Sequence, residues 1–259
     1  MLFFDVDGTL FTEGKHIMPD SVPGAIRKAQ ENGHLLFVNT GRPYFNILDS
    51  IKQLGFDGFV CGCGTYITCN GEELLHYRVP THKCKEIVEV IRDCNIHALF
   101  EDTEGVFFDY TRPTTQYLAG LQARFGVQDF DISYSWDNPN LTFNKFVMWR
   151  TERCDFKTFY DYITQDFQFI DRGNGFGEIV PKGYTKATGI QFLQEKYNIP
   201  LEDCFAFGDS NNDLPMLEYV PNSVAMGNST PELFKLCSFT TKDIMDDGIQ
   251  YAMKHFGLI

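Results

Sequence analysis

Three apolar residues, Leu2-Phe3-Phe4, run directly into Asp5-Val6-Asp7-Gly8, and few folds accommodate that order. The apolar run reads as the end of a buried strand, and the glycine as the sharp turn that follows it. Side chains alternate along an extended chain, so Asp5 and Asp7 both face the mouth of a sheet while Val6 points back into the protein. Two carboxylates held that close repel each other. A divalent cation, a shared proton or a nearby lysine must offset the repulsion. Calcium loops also contain Asp-x-Asp-Gly, but they place a third ligand where this chain has Thr9, and a helix where it has Leu2-Phe3-Phe4. A plain acidic turn is the simpler alternative.

The chain has 259 residues, enough for one large domain or two ordinary ones, and its 43% hydrophobic and 22% charged content is that of a globular protein. No apolar run approaches the roughly 20 residues of a membrane span. Asp5 and Asp7 interrupt any apolar leader and no basic residue precedes them, so a cytoplasmic location with no membrane association is expected. A net charge of -13 argues against a nucleic-acid partner, which demands clustered Lys and Arg. The sequence carries no signal for an obligate protein partner. Cys61, Cys63, Cys69, Cys84, Cys94, Cys154, Cys204 and Cys237 include no Cys-x-x-Cys pair, which favours reduced, mostly buried thiols over zinc or disulfides.

Beyond the acidic turn, Val22, Ala25, Ile26 and Ala29 recur at helical spacing between Ser21 and Asn32, with Pro23 early and Gly33 just past the end. His34 to Val38 is a continuous apolar run, as in a strand buried on both faces, and it ends in Asn39-Thr40-Gly41-Arg42-Pro43. Pro43 opens a further predicted helix whose stripe is Ile47, Leu48, Ile51 and Leu54. Strand, helix, strand, helix implies a parallel sheet with ligands at the C-terminal strand ends. Phe59-Val60-Cys61 reads as a third strand, and Asn70-Gly71 between two short runs as a hairpin.

From Pro80 to Pro181 the pattern changes. Helices are expected at 81–94, 114–125 and 155–164, alternating with strands at 98–101, 106–110, 144–150, 167–170 and 177–180. The tight Asp102-Thr103-Glu104-Gly105 turn makes this second sheet at least partly antiparallel. The predicted fold class is therefore α/β: a Rossmann-like doubly wound parallel core over 1–79 and 182–259, with an inserted α+β cap over 80–181. Val79-Pro80 and Val180-Pro181 are the hinge candidates. The βα rhythm resumes with a helix capped by Thr185, a strand from Cys204 to Phe207, the Gly208-Asp209-Ser210-Asn211-Asn212-Asp213 turn, a helix from Leu214, a strand from Ser223 to Met226 and a closing helix over 246–256.

Asp-Val-Asp-Gly-Thr-Leu, Asn-Thr-Gly-Arg-Pro, Gly-Tyr-Thr-Lys and Gly-Asp-Ser-Asn-Asn-Asp occur in this order and nearly span the chain. Together they resemble the haloacid dehalogenase superfamily phosphatases of the Cof type, with the large class IIB cap after the third strand. The resemblance implies that Asp5 is the nucleophile that forms an aspartyl phosphate. It implies that Asp7 is the general acid and base, a role that needs a raised pKa, which Asp5 and Asp209 nearby would supply. Mg²⁺ would be held by Asp5, the Asp7 carbonyl and Asp209. Thr40 and Gly41 would bind the phosphoryl oxygens and Lys186 would neutralise them. Lys182 is a rival, but Lys186 follows Gly183-Tyr184-Thr185 as the family's motif does. Asn212 would reach the phosphate or a metal-bound water, and Asp213 would orient Lys186 or the metal from behind.

Taken singly, Thr40 and Asn212 would be helix caps and Lys186 a solvated first-turn residue. Arg42 reads as a partner of core acids, or as a residue facing the cap. Phe107, Tyr110, Phe143, Phe146 and Trp149 read as cap core, and Glu178 as a candidate for binding a substrate hydroxyl. Cys63-Gly64 stands where the family usually has Asn-Gly, which bears on substrate selection more than on chemistry. The implied activity is Mg²⁺-dependent hydrolysis of small phosphomonoesters, most of all sugar phosphates, with the cap closing over the leaving group. The alternatives are a phosphotransferase such as a phosphohexomutase, or a sensor phosphorylated on Asp5 without turnover. Dehalogenation needs neither the second aspartate nor the metal.

Overall fold

The computed structural model describes residues 1–111, 120 and 133–259. These divide into two compact units, Met1–Arg42 with Ile47–Leu75 and Tyr184–Ile259, and Pro43–Asn46 with His76–Gly183. In chain order, β1 (Leu2–Phe4), β2 (Leu36–Asn39), β3 (Gly58–Cys61), β4 (Tyr66–Cys69) and β5 (Glu72–His76) come first. Then follow β6 (His97–Glu101), β7 (Val106–Phe108), β8 (Ser133–Ser135), β9 (Lys145–Trp149), β10 (Phe167–Asp171) and β11 (Phe176–Pro181). The last strands are β12 (Phe205–Gly208), β13 (Asn222–Ala225) and β14 (Phe239–Thr240).

In the first unit an eight-stranded sheet has the order β14-β13-β12-β1-β2-β3-β4-β5. From β14 to β3 every pairing is parallel, and β4 turns back antiparallel on β3. β1 lies inside this sheet, between β12 and β2, so all three of its residues are fully buried. Phe3 stacks on Phe37 at 5.3 Å and Phe4 on Phe207 at 4.6 Å, which puts large rings on both faces. Helix Ser21–Glu31 buries Val22, Ala25, Ile26 and Ala29, the stripe its sequence predicts. Asn70 and Gly71 sit at φ 50° and 78°, the backbone that a two-residue hairpin turn requires.

The stretch after Pro43 departs from expectation. A 3₁₀ turn at Tyr44–Asn46 and a four-residue helix at Asp49–Lys52 replace the predicted long helix. Ile47 and Ile51 are buried, but Leu48 and Leu54 are only half-buried, so the stripe lacks half of its anchors. The predicted helix over 114–125 lies outside the described residues except for Gly120. Strands β8 and β14, three and two residues long, lie outside the predicted strands.

The second unit carries a six-stranded sheet of order β10-β11-β9-β6-β7-β8. Among the described residues its pairings are antiparallel except β7 with β8. One face packs Phe100, Phe107, Phe146, Met148 and Ile179 with Cys84, Ile87 and Ile91 of helix Thr81–Asp93 and Phe159 of helix Phe156–Ile163. Of the aromatic residues read as cap core, Phe107, Phe143 and Phe146 are buried, Trp149 is half-buried, and Tyr110 is exposed. Tyr110 follows the end of β7 and so falls outside the packed face. Glu178 is buried and accepts from Lys145 Nζ at 2.7 Å, while Lys145 also lies 2.6 Å from Glu101. Glu178 thus belongs to a buried ion-pair group within this sheet. None of the eight cysteines forms a disulfide. No helix among the described residues is long and apolar enough to cross a membrane.

Gly64 binds the β3–β4 loop to the start of helix Lys186–Tyr197. A Cβ there would lie 2.4 Å from the Thr185 carbonyl oxygen, and φ is +91°. Gly64→Ala is therefore expected to lower unfolding free energy by about 2 kcal/mol or more in a urea titration, and an unchanged midpoint would contradict this contact.

Candidate active site

Asp5 is the first residue past β1, and its N–H still follows the sheet, donating to the Phe207 carbonyl at 3.0 Å. Gly8 at φ +92° reverses the chain, with its N–H on the Phe11 carbonyl at 2.7 Å. The turn also returns Val6 to the core, fully buried, and leaves Asp7 at the edge with 37% of its side chain exposed. Thr40 follows β2 and is buried; its hydroxyl accepts from the Arg42 N–H at 3.1 Å. Gly41 lies between them, half-buried. Asp209 follows β12, and the 3₁₀ turn Asn211–Asp213 brings Asp213 beneath it.

Lys186 joins these strand ends. It opens a helix that Thr185 caps through a reciprocal capping box with Thr188. Its side chain is wholly enclosed and its Nζ donates to Asp5 Oδ1 at 2.5 Å and to Asp213 Oδ1. Asp213 Oδ2 accepts the N–H groups of Asp209 and Ser210, each at 3.0 Å, so both of its oxygens are engaged. Asp209 Oδ1 accepts from the Thr9 hydroxyl at 2.9 Å. The structure thus brings Asp5, Lys186, Asp209 and Asp213 into one cluster. Asn212 is half-buried and accepts from the Ser210 hydroxyl at 2.5 Å. Lys182, the rival lysine, donates instead to the Gln165 carbonyl at 2.9 Å, on the exposed surface of the second unit.

Burial sets the electrostatics. It pushes Asp5 up to about 7, helped by the charge of Asp213 and opposed by Lys186. Burial and the charges of Asp5 and Asp213 push Asp209 up to about 8. Desolvation would lower Lys186, but the charges of Asp213 and Asp5 outweigh it and hold the ammonium well above the ordinary lysine value.

Asp7 behaves opposite to expectation. Burial would raise it, but the hydrogen bonds and charge of Arg42 prevail and hold its carboxyl below the usual range. Arg42 Nε donates to Oδ2 at 2.7 Å and NH2 to Oδ1 at 2.6 Å, a bidentate fork. His16 Nδ1 lies 3.9 Å from the same carboxylate. Asn-Thr-Gly-Arg-Pro contains the arginine but does not say which acid it meets.

Asn39, given no role from the sequence, and the Cys63 loop also hold the site together. Asn39, fully buried, donates through Nδ2 to the Lys186 carbonyl at 3.0 Å and so ties β2 to the helix start. Cys63 sits at φ +57°, a left-handed backbone that Asn tolerates better than Cys. Its N–H donates to the Thr40 carbonyl at 3.1 Å and that of Gly62 to Arg42 at 2.9 Å, which holds the phosphate-loop candidate against the β3 end.

The donor set suits a hard cation. One oxygen each of Asp5, Asp209 and Asp213 lie within 4.8 Å of one another. Three buried carboxylates share the enclosure with one ammonium, and burial together with their mutual repulsion pushes Asp5 and Asp209 up, a charge balance that a divalent cation would redress.

The family model described as haloacid dehalogenase-like hydrolase matches residues 2–253. A Bacillus subtilis (strain 168) protein, YkrA, provisionally named a phosphatase, is 28% identical over 262 residues, covering 100% of this chain and 98% of its own. The 5-amino-6-(5-phospho-D-ribitylamino)uracil phosphatase YitU of the same organism is 25% identical, covering 99% of this chain and 97% of its own. The solved structure of BT4131, a subclass IIB sugar phosphatase, superposes with a TM-score of 0.82 at 25% identity, covering 100% of this chain and 99% of that one. The chain belongs to the haloacid dehalogenase-like hydrolases, among their phosphatases.

Lys186→Met would leave Asp5 and Asp213 without their counter-charge. Asp5, which burial already pushes up, would then hold its proton to still higher pH than in the unfolded chain, a penalty that grows as pH rises. A loss of about 3–5 kcal/mol is expected at pH 8, and a smaller one at pH 5, by urea unfolding. A loss independent of pH would contradict the charge arrangement.

Proposed function

We propose that this haloacid dehalogenase-like hydrolase is a Mg²⁺-dependent phosphatase of small soluble phosphomonoesters, with sugar phosphates as the favoured class. The observation that carries the reading is the Lys186 ammonium bonded to both Asp5 and Asp213 at the strand ends. That contact supports Asp5 as the carboxylate that would meet an incoming phosphorus, with the Lys186 ammonium beside it to offset charge on the transferred oxygens. The names of YitU and BT4131 support a small phosphorylated substrate, and a net charge of -13 disfavours nucleic acid.

In this reading Asp5 attacks phosphorus, the bond to the leaving oxygen breaks, and an aspartyl phosphate forms; water then attacks the same phosphorus and frees Asp5. The Asp5 and Asp209 carboxylates with the Asp7 carbonyl would hold Mg²⁺, which when bound supplies the positive charge that keeps these acids ionised and offsets charge on the phosphoryl oxygens. Asp213 serves from behind, since Lys186 and two N–H groups already occupy its oxygens. Thr40 and the Gly41 N–H bind phosphoryl oxygen, and Asn212 steadies the phosphate. Asp7, held ionised by Arg42, is suited to accept the proton of the attacking water. To protonate the leaving oxygen in the first step it must first loosen from Arg42 and take up a proton.

Asp5→Asn is expected to abolish metal-dependent hydrolysis of an aryl phosphate, by at least about a thousandfold; full activity in that variant would sink the assignment. The metal-free protein should also respond to pH. Folded Asp5 and Asp209 hold protons up to about 7 and about 8, respectively, that the unfolded chain has already released. Stability from these groups therefore falls as pH rises from the ordinary carboxylate range through about 8. Mg²⁺ competes with those protons, so its addition should raise Tm more at pH 8 than at pH 6 in a thermal melt; an equal shift would contradict metal binding at these acids.

A further inference from the structure

Asn228 stands in the loop after β13, and its side chain joins two distant segments. Nδ2 donates to the Gly8 carbonyl at 2.8 Å, 220 residues away, and Oδ1 accepts from the Ile244 N–H at 3.1 Å. The backbone beside it is fixed as well. Gly227 N–H donates to the Lys242 carbonyl at 2.8 Å, and a Cβ on Gly227 would lie 2.3 Å from the Asp243 nitrogen. The same loop grips the other acidic turn, with Met226 N–H on Gly208 at 3.0 Å and Thr230 N–H on Asp209 at 3.2 Å.

The Gly8 bond falls where the two acidic turns touch. A Cβ on Gly8 would lie 2.2 Å from the Asp209 carboxylate, so the turns meet with no room to spare. The next residue, Thr9, sends its hydroxyl to Asp209 at 2.9 Å. The Gly8 carbonyl shares its peptide plane with the Thr9 N–H, so anchoring it sets where Thr9 meets Asp209.

We propose that Asn228 is a positioning residue that holds the Asp7-Gly8-Thr9 turn against Asp209, so that Asp5 and Asp209 keep their mutual spacing as a divalent cation is taken up. It acts through the Gly8 carbonyl and touches no reacting atom. The inference rests on the reading that these acids hold a metal for phosphoryl transfer. Asn228 is itself exposed, so replacing it opens no cavity in the core.

Two variants separate its two bonds. Asn228→Ala removes both. Asn228→Asp, nearly isosteric, keeps an acceptor for Ile244 but sets an oxygen against the Gly8 carbonyl. Calorimetric titration of the metal-free full-length proteins with Mg²⁺, without substrate, should show binding weakened about tenfold in both variants. Aryl phosphate hydrolysis at saturating Mg²⁺ should show kcat lowered about tenfold, with KM within about twofold of the wild-type value. Wild-type Mg²⁺ binding in both variants would overturn the proposal. So would impairment in Asn228→Ala alone, which would place the role at Ile244, or a raised KM with unchanged Mg²⁺ binding, which would make Asn228 a substrate contact. Should Asn228→Ala fail to fold, Asn228→Asp decides alone. A wild-type protein that binds Mg²⁺ without hydrolysing any phosphomonoester would defeat the phosphatase reading, while the calorimetric comparison would still decide the clamp.

Discussion

The Lys186 ammonium, enclosed completely and bonded to Asp5 and Asp213, is the interaction on which the rest of the site depends. An ammonium leaves water only where carboxylates replace its hydration, and two carboxylates in the same enclosure need that cation in turn. Here the exchange leaves a surplus: Asp209 adds a third negative group, and burial pushes it and Asp5 toward neutrality. Three carboxylates thus share one ammonium, a net negative enclosure of the kind a divalent cation would neutralise.

Close backbone approach makes the cluster possible. β1, β2 and β12 are neighbours in a parallel sheet, so the residues past their C-terminal ends converge at one edge. Glycines then let the turns touch. Gly8 meets the Asp209 carboxylate, and Gly208 meets the Asp213 side chain, where a Cβ would lie 2.7 Å away. Asn39 and the Thr185 cap fix the origin of the lysine helix, so the ammonium arrives from a rigid element rather than from a loop.

Much of this was legible in the chain because it is local. The Leu2-Phe3-Phe4 run, the stripe of Ser21–Glu31 and the Thr185 cap are each specified within a few residues, and each formed as its pattern predicts. What stayed hidden depends on partners far away in sequence. Arg42 was visible, but its fork on Asp7, 35 residues distant, was not, and with it went the sign of the Asp7 shift. Asn228 had no signal, since its meaning lies 220 residues upstream. Lys145, which occupies Glu178, is a neighbour only through strand pairing. The stretch after Pro43 misled for the converse reason: its apolar spacing is helical, but Leu48 and Leu54 find no full burial.

On the proposed reading Asp5, presented by Lys186, takes the phosphoryl group covalently. Acid quenching during steady-state turnover of a phosphomonoester, followed by borohydride reduction and peptide mass spectrometry, tests it most directly, because an aspartyl phosphate is reduced to homoserine and an ordinary carboxylate is not. Homoserine at position 5, dependent on substrate and Mg²⁺ together, is the predicted result. An unmodified Asp5 in an enzyme that is turning over and accumulating a phosphoprotein, with the label at another residue, would contradict it.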